Sequence, residues 1–371
     1  MNALFRSAVG DAMACLRKAD VAGATAAIQQ ALNGVPASTQ RRPEDGEAGS
    51  VATTGPLPRR LGDVLQTLRA GRAHHARTVE DKDRPAGPEV SDGRFRSHSF
   101  RNAAGSLRYK LYVPAGHAGR ELALVVMLHG CTQDPDDFAR GTRMNALADE
   151  FGLIVVYPHQ PRSANAQGCW NWFDPRHQRR GAGEAALLAG VAQELAAEFG
   201  IGGDRVFVAG LSAGGAMADV LAATYPDVFS AAGIHSGLPH GEARDVMSAF
   251  AAMKGTLKAS SPGGDLTGRT IIFHGTADAT VHPSNGERLF GRVRDRDGSF
   301  HELTTDALIN GKRVTRTRLI PDTGPTVAEH WVIQGSGHAW SGGDHAGSYA
   351  DATGPDASRE MIRFFLETDR T

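Results

Sequence analysis

No run of about 18 apolar residues occurs in the 371-residue chain, so the sequence predicts no membrane span. Neither sign of charge dominates: 40 Lys+Arg stand against 41 Asp+Glu, a formal net charge of -1. A balance of that kind gives no long-range pull toward nucleic acid or an anionic membrane surface. Cysteine is scarce. Cys15, Cys131 and Cys169 are the complete set, and an odd count in a chain of this length is not a disulfide framework. Metal-ligand spacing is missing too: there is no H-E-x-x-H and no paired C-x-x-C, so neither metal nor cofactor is expected. Asp11, Arg17, Lys18 and Asp20 interrupt any apolar stretch near the N-terminus. That pattern predicts no secretory signal and, taken alone, a cytoplasmic location.

Hydrophobic residues make up 41% of the chain, ample for a core. Glycine is abundant at 45 residues, about 12% of the chain (45 of 371) against a usual share of roughly 7%. Such a surplus suits a fold with many tight strand-to-helix turns. Residues 1–32 space Leu4, Phe5, Val9, Met13, Leu16 and Val21 in a helical rhythm. Residues 33–92 carry Pro36, Pro43, Pro56, Pro58, Pro85 and Pro88 with few large apolar groups, the composition of a flexible linker. Residues 93–371 read as one catalytic domain.

Within that domain Leu107–Val113 alternates apolar and polar side chains, as a half-buried antiparallel strand does. Continuous apolar runs follow at Leu122–Leu128, Leu153–Tyr157, Val206–Ala209, Thr270–His274 and Trp331–Ile333. Such runs are the mark of strands buried on both faces. Helical segments separate them, at Asn145–Phe151, Glu184–Phe199, Ala213–Tyr225, Ser284–Val293 and Ala357–Glu367. The alternation predicts an α/β fold: a mostly parallel sheet with helices on both faces and the leading strands antiparallel at one edge.

Val206–Ala209 runs into Gly210–Leu211–Ser212–Ala213–Gly214–Gly215 and then an Ala-rich helix. This is G-x-S-x-G between a strand and a helix, the setting of an α/β-hydrolase nucleophile elbow. Small flanking residues let strand and helix close around Ser212, and the helix N-terminus favours developing negative charge. A serine hydroxyl needs a base. In this fold the chain order is serine, acid, histidine. His338 lies in a glycine-rich loop, Gly335–Gly343, directly after the last apolar run. His235 and His274 end strands and read as packing residues. Asp278, in the loop after the Thr270–His274 run, is the candidate acid that orients His338; its bland alternative is a carboxylate capping a turn. Asp322 and Asp344 are the fallbacks.

One oxyanion donor in this fold is the amide after the nucleophile, here Ala213. The other comes from the loop after an earlier strand, here Cys131 in Leu128–Gln133. His129 in the same loop reads as a prop. Cys131 and Cys169 either bridge or remain two buried thiols. Trp170, Trp172 and Trp340 fall on loops of the same face and are candidate substrate-binding residues, with at least one expected to cover the core instead.

LHGCTQ (128–133), GCWNWF (168–173), GLSAGG (210–215), YPDVFSAAGIHSGLP (225–239), HGTADATVHP (274–283) and GSGHAWSGG (335–343) recur in order. With these motifs residues 95–367 resemble the esterases of the poly(3-hydroxybutyrate) depolymerase family, neighbours of the feruloyl and acetylxylan esterases. The resemblance implies a Ser212–Asp278–His338 triad and hydrolysis of carboxylic esters. It allows an extracellular location, and it does not cover residues 1–92. Short hydroxyalkanoate oligomers or small esters are the expected substrates. A feruloyl or acetylxylan esterase and a serine peptidase of the same fold are the enzyme alternatives. The non-enzyme alternative is an inactive hydrolase fold used for binding.

Overall fold

The structure, a computed structural model, describes residues 94–119, 121–256, 268–296 and 299–367. The N-terminal helical segment and the linker expected over residues 1–92 lie outside the described residues.

Ten strands form one sheet in the order β1-β2-β4-β3-β5-β6-β7-β10-β9-β8. The first pair is β1 (Phe95–Asn102) and β2 (Gly105–Tyr112). The centre holds β3 (Ala123–Leu128), β4 (Leu153–His159), β5 (Val206–Leu211), β6 (Ala231–His235), β7 (Arg269–Gly275) and β10 (Ala328–Ile333). The last pair is β8 (Phe300–Ile309) and β9 (Lys312–Pro321). Neighbours from β4 to β10 are parallel, while β1–β2, β2–β4, β10–β9 and β9–β8 are antiparallel. A parallel centre is thus flanked by an antiparallel pair at each edge. The helices are α1 (Pro135–Thr142), α2 (Met144–Phe151), α3 (Gly183–Phe199), α4 (Ala213–Thr224), α5 (Val246–Met253), α6 (Ser284–Arg294) and α7 (Ala357–Phe365). Two short strands, β11 (Trp340–Ser341) and β12 (Ala350–Asp351), pair apart from the main sheet.

Every residue of β3 is buried. Leu124, Val126 and Leu128 pack on one face with Leu188 of α3 and Met217 of α4. Ala123, Val125 and Met127 pack on the other with Phe138 of α1, Met144 of α2 and Met361 of α7. Both faces are covered by helices, so an unbroken apolar run is what this strand requires.

The hairpin β8–β9 has no counterpart among the expected strands. Its outer strand is exposed from His301 to Leu308, so no burial period marks it. The turn left a signal, however: Asn310 and Gly311 take φ of 43° and 79°, the left-handed pair that an Asn-Gly hairpin turn supplies. The short helices α1 and α5 were also not apparent as apolar periods. Their caps carry the information: Asp134 and Asp245 each accept an amide of the first turn.

Candidate active site

Strand β5 ends at Leu211 and α4 begins at Ala213, leaving Ser212 alone at the junction with φ 58° and ψ -118°. A non-glycine residue held there is strained, and the surroundings hold it. Its amide donates to the His235 carbonyl at 2.9 Å. A Cβ on Gly210 would collide with Gly214, and one on Gly214 would collide with the Leu128 carbonyl. Only glycine lets β5, α4 and the end of β3 approach so closely. Ser212 keeps 9% of its surface exposed.

The loops after β7 and β10 leave the same edge of the sheet, because both strands run parallel to β5. They carry Asp278 and His338, whose Nδ1 lies 2.7 Å from Asp278 Oδ2. A carboxylate accepts, so Nδ1–H donates and the other ring nitrogen keeps its lone pair. Asp278 Oδ1 accepts the amides of Thr280 and Val281, each at 2.9 Å. Burial raises the Asp278 carboxyl, but the bond from His338, the electrostatic attraction of that imidazole and the Val281 amide outweigh it, and the net direction is down. Ser212 Oγ makes no hydrogen bond to His338 among the described residues. The fallback acids are engaged elsewhere: Asp344 accepts the Ala346 amide and Asp322 pairs with exposed His301.

Cys131 sits in a turn whose neighbouring amides are in use. Gly130 N donates to Gln133 Oε1, Thr132 N to the Gln167 carbonyl and Gln133 N to the Gly130 carbonyl. The amides of Cys131 and Ala213 have no partner among the described residues. Cys131 is disulfide-bonded to Cys169, which ties this turn to the 168–173 segment.

A family model described as esterase PHB depolymerase matches residues 107–300. The chain belongs to this family. Poly(3-hydroxyalkanoate) depolymerase C of Paucimonas lemoignei is 33% identical over 254 residues, 65% of this chain and 60% of that protein. Feruloyl esterase B of Neurospora crassa is 33% identical over 198 residues, 48% of this chain and 66% of that protein. The chain thus spans less than two thirds of the length of either relative. Among solved structures, an acetyl xylan esterase from Aspergillus awamori superposes with a TM-score of 0.54 at 23% identity, covering 70% of this chain and 93% of that one. That likeness speaks for the fold, which is the α/β-hydrolase fold of esterases.

In this esterase-family chain the three tryptophans are buried and do not form the expected substrate-binding rim. Trp170, Trp172 and Trp340 are 0%, 6% and 1% exposed. Trp170 Nε1 donates to the His129 carbonyl and Trp340 Nε1 to Ser358 Oγ. Satisfied inside the protein, both indoles belong to the core. His129 does prop its loop: Nε2 accepts the Gln160 amide, so Nδ1–H donates to the Gly130 carbonyl. Burial pushes this imidazole down to about 4. His274 lies beneath the acid, with Nε2 at 2.9 Å from the Val281 carbonyl and 3.6 Å from Asp278 Oδ2. His235 stacks between Phe273 and Trp340.

Some supports went unread in the sequence. Gln133 Nε2 donates to Asp137 Oδ2 and to the Ser348 carbonyl, both at 2.9 Å, joining the Cys131 turn to α1 and to the chain beyond His338. Glu184, 6% exposed, accepts from Gln160 Nε2, Asn171 N and Asn171 Nδ2. A buried carboxylate so fully bonded fixes the segment that carries Cys169. The last residue of the LHGCTQ motif was the available signal for Gln133; Glu184, at the start of a helix, had none. No helix among the described residues is long and apolar enough to cross a membrane. No group of three or more His, Cys, Asp or Glu among them could hold a metal ion.

Proposed function

We propose that residues 93–371 form a serine-dependent carboxylic ester hydrolase that works through an acyl-enzyme. The observation that carries this is the 2.7 Å bond between His338 Nδ1 and Asp278 Oδ2, made at the sheet edge where Ser212 sits in its strained elbow. Asp278 holds the imidazole in the tautomer whose Nε2 can take a proton and stabilises the imidazolium that results. Ser212 Oγ attacks the ester carbonyl carbon while its proton passes to His338 Nε2. The Ser212–His338 hydrogen bond, not made in this structure, forms when substrate binds, since catalytic hydrogen bonds commonly close only in the substrate complex. The tetrahedral oxyanion accepts from Cys131 N–H and Ala213 N–H, each worth about 3 kcal/mol to the transition state. Collapse expels the alcohol, which leaves with the proton from His338. Water then enters by the same route, and the carboxylic acid departs.

Short hydroxyalkanoate oligomers and small esters are the proposed substrates, in keeping with the named depolymerase and esterase relatives. Hydrolysis of p-nitrophenyl butyrate tests the chemistry. Ser212→Ala and His338→Ala are each expected to lower kcat by about 10⁴-fold or more, with Asp278→Asn close behind. Turnover near wild type in either of the first two would refute the assignment. A panel of 3-hydroxybutyrate oligomers, feruloyl esters, acetylated xylan and peptide anilides then ranks the substrates. Preference for the anilides would move the reading to a peptidase.

A further inference from the structure

With all three tryptophans buried, Tyr349 is an exposed aromatic side chain beside the Cys131 turn. Tyr349 is 48% exposed. Its hydroxyl lies 3.3 Å from Thr132 Oγ1. The Thr132 hydroxyl already donates to the Cys131 carbonyl at 2.6 Å, so between the two it is Tyr349 that donates. A Cβ on Gly130 would stand 3.7 Å from Ser212 Cβ. The turn of Gly130, Cys131 and Thr132 therefore borders Ser212, and Tyr349 borders that turn.

Both partners of this contact are strained. Thr132 and Tyr349 have φ of 66° and 50°, the left-handed region that a β-branched or bulky residue avoids. Such conformations persist only where the surroundings over-determine them, and they gather at functional sites. The surroundings here are dense. Asp344 N donates to the Gly141 carbonyl and Trp340 N to the Tyr349 carbonyl. Ser348 N donates to Asp137 Oδ1 at 2.9 Å, while the Ser348 carbonyl accepts Gln133 Nε2. A Cβ on Gly347 would collide with the backbone of α1 at Gly141. The segment is fixed against α1 on one side and the Cys131 turn on the other. What it presents is an aromatic ring that the core does not bury.

We infer that Tyr349 is a specificity-determining residue: its ring forms the wall of the substrate pocket beside the Cys131 turn and takes the apolar or flat part of the ester. The hydroxyl bond to Thr132 sets the angle of the ring, and the ring supplies contact area at little entropic cost. This rests on the reading of Ser212 as nucleophile.

The test uses the full chain and two ester series. One varies the acyl group from acetate to hexanoate on p-nitrophenol, and the other varies the alcohol on a fixed butyryl group. Tyr349→Ala is expected to raise KM about tenfold for the bulkiest members of one series, the order one or two apolar groups contribute in a pocket. Smaller members shift less, so the selectivity profile flattens, and the change falls on KM more than on kcat. Tyr349→Phe keeps the contact area but loses the bond to Thr132, so its profile is expected between those of wild type and Tyr349→Ala. Thermal midpoints check that each variant folds. A profile parallel to wild type in both series, or a uniform fall in kcat, would overturn the inference. Its failure is separable from failure of the nucleophile reading, which Ser212→Ala reports on its own.

Discussion

Ser212 and His338 sit on segments held in different ways. Around Ser212, backbone packs on backbone, and a Cβ at Gly210 or Gly214 has nowhere to go. Around His338, nothing lies within 4 Å of where a Cβ on Gly335 or Gly337 would stand. The imidazole is positioned by its bond to Asp278 and by the end of β10. The elbow is thus closed to any added Cβ, whereas the His338 loop packs its main chain at Ser336 and Gly337 against Gly275 but leaves room for a Cβ at Gly335 and Gly337. The elbow should tolerate almost no change in shape, whereas the loop should tolerate added bulk so long as the His338–Asp278 bond survives.

Glycine substitutions break or sharpen that contrast most strongly. Gly214→Ala is expected to cost about 4 kcal/mol, because backbone must move. Gly337→Ala is expected to cost about 1 kcal/mol or less, since the position is open and its φ is not left-handed. Urea denaturation of the two variants measures both; equal losses would erase the distinction.

The disulfide comes next in size. It closes a loop between residues 38 apart in sequence and stands on the elbow side, where it ties the Cys131 turn to the 168–173 segment. Cys131→Ser is expected to cost about 3 kcal/mol by loss of that constraint. It should also lower kcat, because the Cys131 amide loses its fixed aim. A variant as stable and active as wild type would mean that Gln133 and His129 hold the turn unaided.

Acid should act by smaller increments. Burial pushes His129 to about 4, His235 to about 3 and His330 to about 4, and lowers His274 as well, all from 6.5. The unfolded chain binds these protons near 6.5 and the folded chain refuses them. Stability is therefore fully present above 6.5 and is lost as pH falls below it toward the lowered folded values. Asp278, also lowered, adds loss in the same direction below the ordinary carboxylate range. The thermal midpoint should drop markedly between pH 7 and pH 5; a flat midpoint over that range would contradict the burial of these rings.

The parallel centre was legible because strands covered on both faces must be apolar throughout, as Ala123–Leu128 and Val206–Leu211 are. Ser212, Asp278 and His338 stood out because strand ends of one sheet deliver their loops to one edge. What escaped had no apolar signature. The outer strand Phe300–Ile309 is held by backbone pairing to β9 while exposed. Trp170 and Trp340 look like pocket residues by loop position, but their indole N–H groups find partners inside. Tyr349 has nothing local to mark it; its place depends on Thr132, 217 residues away in sequence.

Covalent capture is the most direct measurement of the whole account. A fluorophosphonate reacts far faster with a serine whose proton a neighbouring base can accept than with an unactivated hydroxyl. Peptide mapping by mass spectrometry should find the adduct on Ser212 alone, and labelling should fall away in His338→Ala. An adduct on another residue, or ester hydrolysis that continues undiminished with Ser212 unlabelled, would contradict it.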